Sequence, residues 1–269
     1  MAIVEANGRT LGYERSGEGP PLVLINGFAA TRADWDPAFL AALAEHNELI
    51  ALDNRGVGES APAKGSLTVA DMASDACAVI GSLALDRPAI LGWSLGGFIA
   101  QEMALSRPGR LRALVLLSSS PGGGAATPSD PAVWARLLDA SGAPREQASR
   151  LISLLFTPQR AAQVDAEAGD LIAAARAKLD PAVLERQAAA MDCWAAEGAA
   201  DALAELDLPA LVACGSADQV IPPANSMALA TAIPNAWLAR FPDCGHAFMA
   251  DRPRELAALI AAFLGAAER

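Results

Sequence analysis

Residues Ala89 to Phe98 read Ala-Ile-Leu-Gly-Trp-Ser-Leu-Gly-Gly-Phe, and this stretch constrains the fold more than any other in the chain. An apolar run suited to a buried strand ends at Gly92. A helix-forming stretch, Phe98 to Leu105, begins just after Gly96 and Gly97. Gly92-Trp93-Ser94-Leu95-Gly96 is therefore a Gly-x-Ser-x-Gly turn from strand to helix, an elbow that lifts one serine hydroxyl clear of the sheet. The backbone at such a serine is sharply bent, so side chains two residues before and after it would clash. The helix that follows directs its first amide N–H groups toward the serine, where negative charge can be held. A glycine-rich turn in any α/β protein could look alike, so the weight rests on what lies downstream.

Two downstream segments carry chemistry. Leu208 to Asp218 is an apolar strand, a small-residue turn and then a carboxylate. Phe241-Pro-Asp-Cys-Gly-His246 ends in a loop histidine ahead of a Leu- and Ala-rich helix. The chain has two histidines, His46 and His246. His46 lies at the end of a predicted helix and reads as a solvated capping group. His246 sits in a loop after a strand, where reactive groups concentrate. Asp218 is the chosen acid because it follows the strand before the His-bearing one. The earlier strand Leu114–Ser120 ends in serines, with no carboxylate until Asp130, and Asp243 and Asp251 lie too near the histidine in sequence.

The order Ser94, Asp218, His246 is the Ser…Asp…His order of the α/β-hydrolases. On these motifs the chain resembles that family from its N-terminal strands to its last helix, with the middle segment least constrained. The resemblance implies a mostly parallel eight-stranded sheet flanked by helices, with an inserted helical cap. It also implies Ser94 as nucleophile, His246 as base and Asp218 as its orienting acid. The oxyanion hole would be the backbone N–H groups of Leu95 and Phe28, the latter from the loop Asn26-Gly27-Phe28. Many family members carry His-Gly where this chain has Asn26-Gly27; an asparagine can hold such a turn by bonding to the backbone. Asn54-Arg-Gly-Val-Gly-Glu-Ser60, after Asp53, resembles a glycine-shaped turn of the family with a structural role, so Asp53 and Arg55 stay outside the site.

The rest of the chain is consistent with one α/β domain and an insertion. Its 269 residues suffice for a sizeable core. Residues 1–120 and 201–269 form the predicted core domain, and 121–200 the helical cap. Met1 to Arg15 reads as a hairpin turning at Asn7-Gly8. Strands follow at Leu22–Ile25, Glu48–Asp53 and Leu111–Ser118, with helices at Asp36–His46 and Val69–Leu85. Past a loose lead-in at Pro121–Pro128, helical stretches fall at Ala132–Ser141, Arg145–Phe156, Gln159–Leu179 and Pro181–Ala196. Phe28, Trp93 and Trp194 are candidate substrate-binding residues. Leu137, Leu155, Phe156 and Met191 are apolar cap positions that could line the pocket or simply pack.

A net charge of −11 and a pI near 4.6 argue against nucleic acid or an anionic membrane surface as partner. No apolar run spans a bilayer, and Met1–Glu5 has no basic leader region, so a cytoplasmic protein is expected. The four cysteines, Cys77, Cys193, Cys214 and Cys244, show no metal-ligand spacing and are expected to be reduced thiols. No metal or organic cofactor is called for, and a monomer or small homo-oligomer is expected. The resemblance implies hydrolysis of a small carboxylic ester or lactone. Carbon–carbon hydrolysis of a vinylogous diketone, cofactor-free perhydrolase or haloperoxidase activity, and a non-turnover small-molecule receptor remain as alternatives on the same residues.

Overall fold

The computed structural model describes residues 2–62 and 65–267. Strands β1 (Ala2–Ala6) and β2 (Arg9–Ser16) form the hairpin, with Asn7 and Gly8 both at positive φ (52° and 69°), as its two-residue turn demands. Then come β3 (Pro21–Ile25), α1 (Pro37–Ala44), β4 (Glu48–Leu52), α2 (Val69–Ser82), β5 (Ala89–Trp93), α3 (Leu95–Ser106) and β6 (Ala113–Leu117). Four longer helices and a short one follow before the next strand: α4 (Pro131–Leu138), α5 (Pro144–Leu155), α6 (Pro158–Arg176), α7 (Pro181–Glu197) and α8 (Ala200–Leu203). The chain closes with β7 (Ala210–Gly215), α9 (Ala224–Ala232), β8 (Trp237–Phe241), α10 (Phe248–Asp251) and α11 (Pro253–Ala267).

The strands make one eight-stranded sheet in the order β1-β2-β4-β3-β5-β6-β7-β8. β2 pairs antiparallel with β1 and β4, and every other pairing is parallel. Parallel neighbours need crossover connections, which the helices supply on both faces. Both faces of the central strands are consequently buried, β5, β6 and β7 along their whole length. Alternation then sorts side chains between two cores. Val23, Ile25 and Ile90 face the side of α2 and α3, while Leu22, Leu24, Leu91 and Trp93 face that of α1 and α11.

Helix boundaries follow local chemistry. Helices α1 and α4 to α7 each carry a proline in the first turn, where its missing N–H costs nothing. Asp36, Asp130 and Asp180 cap three of them by accepting a backbone N–H. Helix α2 stops at Ser82, short of the predicted Leu85, because Ala84 takes a left-handed φ of 52°. The segment expected to be a loose lead-in is docked instead. Asn225 bonds the backbone of Thr127 in both directions (3.0 and 2.8 Å), and Gly122 lies against the end of α7.

Candidate active site

The site is assembled at the C-terminal ends of β3, β5, β7 and β8. Ser94 joins β5 to α3 with φ 57° and ψ −120°, a strained conformation for a residue with a side chain. The strain is enforced by close packing. A Cβ on Gly92 would collide with the Gly96 carbonyl, one on Gly96 with the Ile25 carbonyl, and one on Gly97 with the Ser119 side chain. The Ser94 backbone is pinned on both sides: its N–H donates to the Leu117 carbonyl (2.9 Å), and its carbonyl accepts from Gly97 N–H (2.8 Å) and the Ser119 hydroxyl (3.2 Å). Leu95 opens α3, whose first N–H groups have no acceptor within the helix.

The loops after β7 and β8 are tied together by Ser216 N–H to the Phe241 carbonyl (2.8 Å) and Ala217 N–H to the Cys244 carbonyl (2.9 Å). This brings Asp218 against His246. Asp218 Oδ2 lies 2.8 Å from His246 Nδ1, while Asp218 Oδ1 accepts the N–H groups of Val220 and Ile221, each at 2.9 Å. All the partners a buried carboxylate needs are thereby present. With Nδ1 engaged, Nε2 is the ring nitrogen left to exchange a proton. Trp93 holds the histidine from behind: its indole N–H donates to the His246 carbonyl (3.0 Å), and the two rings lie 5.3 Å apart. Ser94, Asp218 and His246 are 5%, 4% and 2% exposed, so all three lie below the surface.

The loop after β3 passes beside the serine, with Gly27 close enough that a Cβ there would lie 3.2 Å from Ser94 Cβ. Asn26 fixes this turn, accepting Gly27 N–H (2.9 Å) and donating to the Thr31 carbonyl (2.7 Å). Asn54 adds a bond to the Asn26 carbonyl at 2.9 Å. Phe28 is half-buried beside the core. Trp194, on α7, stacks on Phe98 at 5.5 Å and donates to the Ser120 carbonyl (3.1 Å). Leu137, Phe156 and Met191 are buried, and Leu155 is partly buried against the cluster that holds Phe156. His46 is exposed just past α1.

Asp53 and Arg55 are structural ties. Asp53 accepts from the backbone of Arg32 and Glu59 and pairs with the Arg32 guanidinium, and Arg55 pairs with Asp75 at 2.6 Å. All four cysteines are free thiols, and burial pushes those of Cys77, Cys214 and Cys244 upward. Among the described residues no cluster of His, Cys, Asp and Glu could hold a metal, and no helix is long and apolar enough to cross a membrane.

One residue at the site escaped the sequence reading. Gln187 on α7 is fully buried and accepts Ala29 N–H at 2.9 Å through Oε1, while among the described residues its Nε2 has no partner. Burying such a donor unpaired costs about 1–3 kcal/mol. The available signal was a polar residue amid Val183, Leu184, Ala190 and Met191, the apolar face of α7.

The sequence profile of the alpha/beta hydrolase fold matches residues 20–253. The chain belongs to the α/β-hydrolase fold family, and it is a hydrolase of that fold. Polyketide synthase ThaQ of Burkholderia thailandensis is 34% identical over 268 residues, which cover 93% of this chain but only 12% of that protein. The putative non-heme bromoperoxidase BpoC of Mycobacterium tuberculosis is 30% identical, with 90% of this chain and 93% of that protein aligned. Among solved structures, a thermophilic esterase from Thermogutta terrifontis superposes with a TM-score of 0.82 at 26% identity, covering 100% of this chain and 99% of the esterase.

Proposed function

We propose that the protein hydrolyses a carboxylic ester or lactone of a small substrate through an acyl-Ser94 intermediate. The observation that carries this reading is the buried Asp218–His246 pair at 2.8 Å, tied through Trp93 to the elbow on which Ser94 is held at positive φ. His246 Nε2 takes the Ser94 proton as Oγ attacks the carbonyl carbon, and Asp218 stabilises the imidazolium. The oxyanion is held by the N–H groups of Leu95 and Phe28. Collapse of the tetrahedral adduct expels the alcohol, which takes the proton from His246. Water, deprotonated by the same ring, then releases the acid and regenerates Ser94. The helices of residues 121–200 act as a cap that sets access, with Phe28 and Trp194 near the substrate. An esterase of the same architecture, 26% identical, supports the reaction class.

A second reading is supported by the 30% identity to a putative bromoperoxidase. Hydrogen peroxide in place of water would turn the same acyl-serine into a peracid. Turnover of p-nitrophenyl esters and simple lactones by wild type, and its loss in a folded Ser94→Ala variant, tests the main reading. Undiminished ester turnover by that variant would overturn it.

A further inference from the structure

We propose that Gln187 is a positioning residue for this reaction, making the oxyanion hole conditional on the seating of the cap. The inference rests on the serine-hydrolase reading above. The Phe28 N–H belongs to the Gly27–Phe28 peptide, which lies between two anchored peptides. The Gly27 N–H is held by Asn26 Oδ1 (2.9 Å), a bond internal to the loop. The Ala29 N–H is held by Gln187 Oε1 (2.9 Å), from a helix 158 residues further along the chain. Ala29 itself sits at φ 56°, a left-handed conformation that a residue with a Cβ rarely keeps without an external hold. The peptide of Phe28 N–H, the proposed oxyanion donor, is therefore held through its two anchored neighbours, and one anchor belongs to the cap.

The orientation of the Gln187 amide follows from its partner. A backbone N–H can only donate, so the atom facing Ala29 is the carbonyl oxygen, and Nε2 must face away. There it is sealed from solvent, with no acceptor among the described residues. An apolar side chain of the same length would fill this space without stranding a donor, so packing alone does not account for a glutamine. The bond to Ala29 is the contact the amide makes, and its effect falls on the oxyanion loop.

Helix α7 also carries Val183, which lies against Gly56, and Trp194, bonded to the Ser120 carbonyl. It meets the core on either side of Gln187, so a shift of the cap carries Gln187 with it. Ser94 and His246 are 5% and 2% exposed, and in this proposal the cap moves to admit substrate to them. On opening, the Ala29 peptide is released and Phe28 N–H loses its aim. On closing over substrate, Oε1 recaptures Ala29 N–H, and the second donor is in place as attack begins.

The test is Gln187→Met, which keeps length and removes the acceptor. With p-nitrophenyl butyrate, kcat should fall about 10- to 100-fold while KM stays within about threefold. Affinity for an alkyl trifluoromethyl ketone, whose hemiketal oxygen reads the oxyanion donors, should weaken by a similar factor. Affinity for butyrate, which forms no tetrahedral adduct, should not change. Thermal stability should hold, because the variant also removes a stranded donor. Wild-type kcat and ketone affinity in a folded Gln187→Met protein would overturn the proposal. So would an equal loss of ketone and butyrate binding, or failure to fold, since either assigns Gln187 to stability alone. Turnover surviving in Ser94→Ala would instead strike the hydrolase reading, which keeps the two failures distinct.

Discussion

Asp218→Asn isolates the part of the mechanism that the geometry specifies best. The carboxylate makes three contacts: Oδ1 accepts two backbone N–H groups at 2.9 Å, and Oδ2 meets His246 Nδ1 at 2.8 Å. An asparagine here has one tolerable orientation. Turning its NH2 toward Val220 and Ile221 would set donors against donors, so its oxygen must stay there and the NH2 must face His246. Nδ1 then has to accept, which moves the ring proton to Nε2, the nitrogen that should take the Ser94 proton. The fold loses nothing in this exchange, since every polar group keeps a partner, and the melting temperature should stay within about 2 °C of wild type. The base is in the wrong tautomer, and kcat should fall about 10⁴-fold, a barrier increase of about 5 kcal/mol. Stopped or continuous release of p-nitrophenol from a short-chain ester measures it. A loss smaller than about tenfold in a fully folded Asp218→Asn enzyme would refute the reasoning.

Other perturbations read other parts of the structure. Trp93→Phe leaves the buried His246 carbonyl without its indole donor, which should cost about 1–3 kcal/mol and lower the melting temperature by about 2–8 °C, with a loss of kcat from a less firmly held ring. Asp75→Ala strips the buried Arg55 of its 2.6 Å partner. Because Asp71 and its carbonyl remain nearby, the cost should be near the lower end for a broken buried pair, about 3 kcal/mol, with activity per folded molecule unchanged by calorimetry and titrated turnover. Burial lifts the Asp251 carboxyl above its usual range, against the opposing pull of Arg160. The folded state thus holds that proton more tightly than the unfolded chain. The associated stability is present below the unfolded value of about 4 and is lost as pH rises through the folded one. Asp251→Asn should flatten this fall in melting temperature as pH rises from about 4, and an unchanged pH profile would contradict it.

The fold could be read from sequence wherever a local rule acts alone. The hairpin at Asn7-Gly8, the elbow glycines and the proline-led helix starts each declare themselves within a few residues. Ser94, Asp218 and His246 could be singled out because few residues of the right type stood in the right loops. Helix and strand ends were less clear. Ala84 and Ser118 take positive φ without being glycine, and only the surrounding packing imposes that. Gln187 and the partner of Trp93 were hidden for another reason. Their bonds join residues 158 and 153 positions apart, and no periodicity records which buried amide meets which backbone N–H. The docking of the glycine-rich segment before α4 was likewise invisible, because composition reports freedom in the unfolded chain and says nothing of Asn225 waiting in the fold.

The central claim is that Ser94 is the nucleophile, activated through His246 and Asp218. Labelling with a fluorophosphonate, followed by peptide mass spectrometry, tests it most directly. The account predicts one phosphonyl adduct per chain, on the peptide containing Ser94, formed rapidly in wild type and at least about 10³-fold more slowly in Asp218→Asn. It also predicts that labelling abolishes ester turnover in step with occupancy. An adduct on another residue, or full turnover by protein whose Ser94 is quantitatively labelled, would contradict it.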